Sequence, residues 1–143
     1  MEKTIFSINI IFFFATVTSA QVAIIANKSV PANEISSTQV LDFYTGDVRV
    51  WEDGKPVIVF DLKPKGEVKT TFYDFLGKTT SRMKSIWMKN MLSGEGDPPE
   101  ALPSESEMLR KVADTPGAIG FVSEKTASLE VKVLAIIQEN KED

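Results

Sequence analysis

Short apolar runs alternating with capped, amphipathic stretches constrain the fold of this chain more than any other feature. "QVAIIAN" at residues 21–27 and "VKVLAII" at 131–137 are too short for helices and are apolar almost throughout, so both read as buried strands. A further strand is expected to end near Val122. "VRVWEDGKPVIVFD" reads as two strands around Asp53-Gly54, a strong hairpin dipeptide, with Pro56 at the start of the second strand, where a missing N–H is tolerable. Between these runs lie helices with recognisable ends. Ser36 with Gln39 forms a capping box, Ile35 can staple onto Val40, and Gly46 fits the exit. A second helix is expected over 67–76 through Val68, Phe72, Phe75 and Leu76, closed by Gly77. Thr79 or Thr80 caps a third, with Met83, Ile86, Trp87, Asn90 and Met91 on one side, a stripe that reads as core packing. "GEGDPPEALP" is rich in breakers and reads as a loop. Ser104 with Glu107 opens a fourth helix through Met108, Leu109 and Val112. Strand–helix alternation of this kind favours a mixed α/β sheet flanked by helices over a sandwich or a bundle.

The first twenty residues stand apart from this pattern. "MEKTIFSINIIFFFATVTSA" has an early lysine, an apolar stretch and a small-residue exit, the order of a secretory signal peptide with cleavage expected after Ala20. The apolar run is shorter than the roughly 20 residues of a membrane span. Residues 21–138 then form one α/β domain, and 139–143 a frayed tail. The expected location is periplasmic or secreted. The chain has no cysteine, so a lipidated cysteine and a disulfide scaffold are both excluded.

Composition narrows the chemistry further. With neither cysteine nor histidine, the usual zinc, copper and thiol sites are absent, and Ser or Thr has no histidine base. A Ser–Lys pair at Lys84-Ser85 fails because neighbours on a helix point to different faces. Glu95, Asp97 and Glu100 lie in a loop and read as solvated acids. The sequence therefore calls for no enzyme activity, metal or cofactor. The net charge of −4 argues against a nucleic-acid partner, yet it is unevenly spread. Residues 61–90 hold seven basic side chains against three acidic ones, and 91–130 hold eight acids against three bases. One face can thus favour an anion or an acidic partner.

The best-supported binding feature is "DLKPKGEVKTTF" at 61–72, which joins a strand end to a helix start, where ligands of open α/β sheets usually sit. Lys63 and Lys69 supply charge, Gly66 permits close backbone approach, and Thr70 and Thr71 offer hydroxyls beside the helix N–H groups. Asp61 and Glu67 oppose an anion there.

Three motifs together resemble the phosphate-type periplasmic substrate-binding proteins: "YTG" at 44–46, "WEDG" at 51–54, and "TPGAIGFVS" at 115–123, where Phe121 takes the place of the family's usual Tyr. The resemblance covers about residues 22–137. It implies one lobe of a type 2 periplasmic-binding-protein-like fold, non-catalytic binding of phosphate or another small oxyanion, and a transporter permease or envelope protein as partner, with no membrane span after cleavage. Full-length members close two lobes on the ligand, so oligomerisation is compatible with a single lobe. The family's ligand loop carries Arg, Asp and a Ser-Gly-Thr run; here the Arg is missing, Glu67-Val68 stand in the run, and only Gly66, Thr70 and Thr71 match loosely. The alternative function is a protein–protein module that has lost the ligand and offers its basic surface (Lys78, Arg82, Lys84, Lys89) to an acidic partner.

Overall fold

The computed structural model describes residues 2–5, 8–13 and 21–138. The expected cleavage point after Ala20 and the tail at 139–143 lie outside the described residues. Ile8, Ile10, Ile11, Phe12 and Phe13 stand exposed, outside any helix or strand. Among the described residues no helix is long and apolar enough to cross a membrane.

Residues 21–138 form a five-stranded mixed sheet with helices on both faces. The strands are β1 (Gln21–Ala26), β2 (Ile58–Leu62), β3 (Glu100–Leu102), β4 (Ala118–Ser123) and β5 (Lys132–Gln138). The helices are α1 (Ser37–Thr45), α2 (Glu67–Leu76), α3 (Thr80–Leu92) and α4 (Glu105–Asp114). The sheet order is β3-β2-β4-β1-β5; β2 runs parallel to β3 and β4, and β1 runs antiparallel to β4 and β5. This is the expected mixed α/β architecture. β1 and β4, both flanked by other strands, are almost wholly buried, as continuous apolar runs in a covered sheet should be.

Local chemistry sets the helix ends. Both halves of the Ser36–Gln39 box form, and Gly46 leaves α1 at φ +81°. Thr79 accepts from the Arg82 N–H, and Ser104 from that of Glu107. At Ser104 only half the expected box operates, because the Glu107 carboxylate pairs with Arg110 at 2.8 Å. That pair holds the Glu107 carboxyl below its ordinary value.

β4 shows how the two faces differ. Phe121 stacks on Phe72 of α2, ring centroids 3.8 Å apart and planes 6° apart. On the opposite face, a Cβ at Gly120 would run into the Met108 thioether of α4, so glycine there lets the helix lie close on the sheet. Each fully buried Phe of this kind stabilises the fold by about 1.5–3 kcal/mol.

Two motifs lock to each other. The Trp51 backbone N–H donates to the Lys55 carbonyl at 2.8 Å, while its indole Nε1 donates to the Gly117 carbonyl at 2.9 Å. The Ile58 N–H reaches the same Gly117 oxygen at 3.1 Å, and the Gly117 N–H donates to Ser29 Oγ at 3.0 Å. "WEDG" and "PGAIG" are thus one structural unit across the start of β2.

Three expectations need correction. The hairpin exists only as a turn with a single bridge, Val50 to Pro56; its second arm leaves to pair with β4 and β3. The breaker-rich loop contains β3, and a 3-10 turn (Glu124–Thr126) follows β4. The last strand starts one residue later than expected and carries an irregularity opposite Ile24/Ile25.

Candidate functional site

The carboxyl end of β2 leads directly into α2. The Lys63 N–H donates to the Leu102 carbonyl at 2.8 Å, extending the β2–β3 pairing to the last point before the chain turns. Residues 63–66 are exposed, and Gly66 caps α2 with no side-chain hydrogen bond. The other three helices each have a Ser or Thr accepting from their first turn. The first-turn N–H groups of α2 are therefore left without a side-chain acceptor, at the positive end of the helix dipole. Gly66 itself is in extended backbone (φ 163°), and a Cβ there would meet nothing within 4 Å. Its contribution is the open space above the helix end rather than an obligatory conformation.

The predicted residues fall into three groups at this corner. Lys63, Gly66 and Thr70 are exposed around it. Lys69 is folded back: its Nζ donates to the Leu62 carbonyl at 2.7 Å and lies 3.4 Å from Asp61 Oδ2, with its side chain 12 % exposed. Thr71 is 4 % exposed and packs beneath the turn. The structure thus gathers Lys63, Gly66, Lys69 and Thr70 at one corner and sets Thr71 behind them.

Asp61, read from the sequence only as an opposing charge, organises the corner from below. It is 3 % exposed, accepts from Tyr73 Oη at 2.9 Å and pairs with Lys69. Burial, and then the Asp61 charge, push the Tyr73 phenol well above its ordinary value. Tyr44, fully buried and donating to the Phe60 carbonyl at 2.7 Å, is raised for the same two reasons. Nothing in the local sequence shows that Asp61 and Tyr73, twelve positions apart, meet; a carboxylate inside an apolar strand run was the available signal.

A second acid stands at the same edge of the sheet. Glu105, in the first turn of α4, accepts from the Ser123 N–H at the end of β4 at 2.5 Å. Among the described residues no group of three or more His, Cys, Asp or Glu is placed to hold a metal ion.

A cleft of 640 Å³ opens elsewhere, between the end of α1, the start of β2, α3 and residues 96–100. None of Lys63, Gly66, Lys69, Thr70 or Thr71 lines it. Its polar donors serve the backbone. Trp87 Nε1 donates to the Tyr44 carbonyl at 2.8 Å, Asn90 Nδ2 to the Thr45 carbonyl at 2.8 Å, and Arg49 to the carbonyls of Gly46 and Glu95. The Trp87 and Asn90 bonds satisfy the last carbonyls of α1 and account for the "YTG" exit as a latch on α3.

No protein-family model matches the chain, and no curated protein matches it. Solved structures do. An ABC-type phosphate transport receptor from Vibrio cholerae matches 80 % of this chain and 45 % of its own length, with a TM-score of 0.65 and 19 % identity. A Clostridium perfringens protein assigned as a phosphate ABC transporter substrate-binding protein, solved with bound phosphate, matches 80 % of this chain and 44 % of its own, with a TM-score of 0.66 and 17 % identity. PstS from Borrelia burgdorferi matches 82 % and 49 %, with a TM-score of 0.61 and 12 % identity. The chain spans less than half the length of each of these structures. At such identities the likeness establishes architecture: this chain has the fold of one lobe of the phosphate-type substrate-binding proteins.

Proposed function

We propose that the chain is a non-catalytic binding lobe, exported to the envelope, that takes a small oxyanion at the corner between β2 and α2. The observation that carries this reading is the uncapped first turn of α2 at the carboxyl edge of the sheet, with Lys63, Lys65 and Lys69 around it. Gly66 leaves room for the anion to approach the N–H groups, Thr70 adds a hydroxyl, Lys63 adds exposed charge, and Thr71 is buried in the same turn of α2. Lys69 is held in reserve by Asp61 and the Leu62 carbonyl. An anion must compete for it, and Asp61 and Glu67 weaken the field, so the expected affinity is modest. The similarity to phosphate receptors supports the ligand class.

Isothermal titration of residues 21–143 with phosphate and with sulfate tests the proposal. One-site saturation with a Kd of roughly 1 mM or tighter, about −4 kcal/mol, is expected for at least one of them. Absence of heat and of any thermal shift with both anions would sink it.

A further inference from the structure

The outer face of α3 has a chemistry of its own, independent of the anion corner. Met83 and Trp87 fix the inner side of the helix in the core, whereas Met91, expected on the same core stripe, is exposed at 44 % because it sits at the end of α3. The opposite side carries Ser81, Ser85, Met88 and Leu92, all exposed, with Met88 at 52 % and Leu92 at 78 %. Their spacing of four, three and four residues is that of the a and d positions of a coiled-coil helix. On this register the flanking e and g positions hold Arg82, Lys84, Lys89 and Met91. None of these three cations joins an ion pair among the described residues, and no acidic residue occurs between Gly77 and Glu95. Ser85 Oγ donates to the Ser81 carbonyl at 3.1 Å, so this hydroxyl is already satisfied and the seam presents a small side chain there.

A narrow seam, small at one end and apolar at the other, rimmed by unneutralised cations in a chain of net charge −4, is complementary to one kind of surface. We propose that this face of α3 docks an amphipathic helix of a partner protein, apolar at a and d and acidic at e and g. A lipid surface fits less well. Helices that lie in a membrane interface insert a broad apolar face, whereas this stripe is one side chain wide and half serine.

The test uses a labelled peptide with Leu at a and d and Glu at e and g, whose like-charged flanks oppose self-association. Fluorescence anisotropy should show saturable binding that weakens as salt is raised. Binding should fall at least tenfold in Lys84→Glu/Lys89→Glu, whose exposed positions leave the fold intact by circular dichroism. Because the chain has no cysteine, Ser85→Cys should form a disulfide with a cysteine at a central a position of the peptide, and a variant with the new thiol at Glu124 should not. No binding of the acidic peptide, equal binding of a Lys-flanked peptide, or undiminished binding in the double variant would each overturn the proposal. So would co-sedimentation with phosphatidylglycerol vesicles in place of peptide binding.

Discussion

Gly117→Ala separates two costs that a glycine can hide. Gly117 has φ +77°, a conformation that charges an L side chain about 1–2 kcal/mol. A Cβ there would also overlap the Pro56 carbonyl oxygen, a backbone atom that cannot swing aside. Relieving that overlap must shift the start of β2 or the Trp51 turn, and so strain the bonds from Trp51 Nε1 and the Ile58 N–H to the Gly117 carbonyl. Overpacking of this kind costs about 1–3 kcal/mol more. Gly54 is the matched control: its φ is +79°, but a Cβ there meets nothing within 4 Å. Gly54→Ala should therefore cost only the conformational part. Thermal unfolding followed by circular dichroism, with urea midpoints as a check, should place Gly117→Ala about 1–3 kcal/mol below Gly54→Ala, a difference in Tm of roughly 4–12 °C. Equal losses in the two variants would refute the claim that the Trp51 turn and the Gly117 turn are pressed together.

Two further outcomes follow from the buried polar groups. The chain has two tyrosines, Tyr44 and Tyr73, and both phenols are raised by burial and by Asp61. Their stabilising contribution is complete below the ordinary value of about 10 and is lost as pH rises above it, because the unfolded chain ionises where the folded one does not. Tyrosinate absorbance at high pH should appear only together with unfolding; titration with a midpoint near the ordinary value in the folded protein would contradict the structure. Asp61→Asn keeps an oxygen for Tyr73 but removes the charge paired with Lys69. It should lower stability by about 1–3 kcal/mol, measured by urea denaturation, while phosphate affinity measured by calorimetry rises several-fold. A fall in both would show that Asp61 supports the anion site instead of opposing it.

Much of the architecture was legible because local chemistry specifies it. Ser36 with Gln39, Thr79 and Ser104 announced helix starts, and Gly46 and Gly77 announced exits that the structure places at φ +81° and +70°. The hairpin was half legible. Asp53-Gly54 makes its turn, with Gly54 at φ +79°, but the pull of Trp51 onto Gly117 and the pairing of β2 with β4 are tertiary, and they leave residues 48–50 outside the sheet. β3 was hidden for a similar reason. Its three residues sit between Pro99 and Pro103 and become a strand only because the edge of β2 offers Phe60, Asp61 and Leu62 as partners. At the corner, the sequence placed Lys63, Gly66, Lys69 and Thr70 together at a helix start. It could not show that Lys69 bends back to Asp61 or that Thr71 is buried, since both depend on how closely α2 lies on the sheet.

The central claim is that an oxyanion sits on the first turn of α2. Amide chemical shifts recorded while phosphate is titrated into residues 21–143 test it most directly. Saturable shifts concentrated at Gly66, Glu67, Val68, Lys69 and Thr70 are expected, with smaller ones at Lys63. Shifts confined to the lining of the 640 Å³ cleft near Arg49 and Asn90, or none at all, would contradict it.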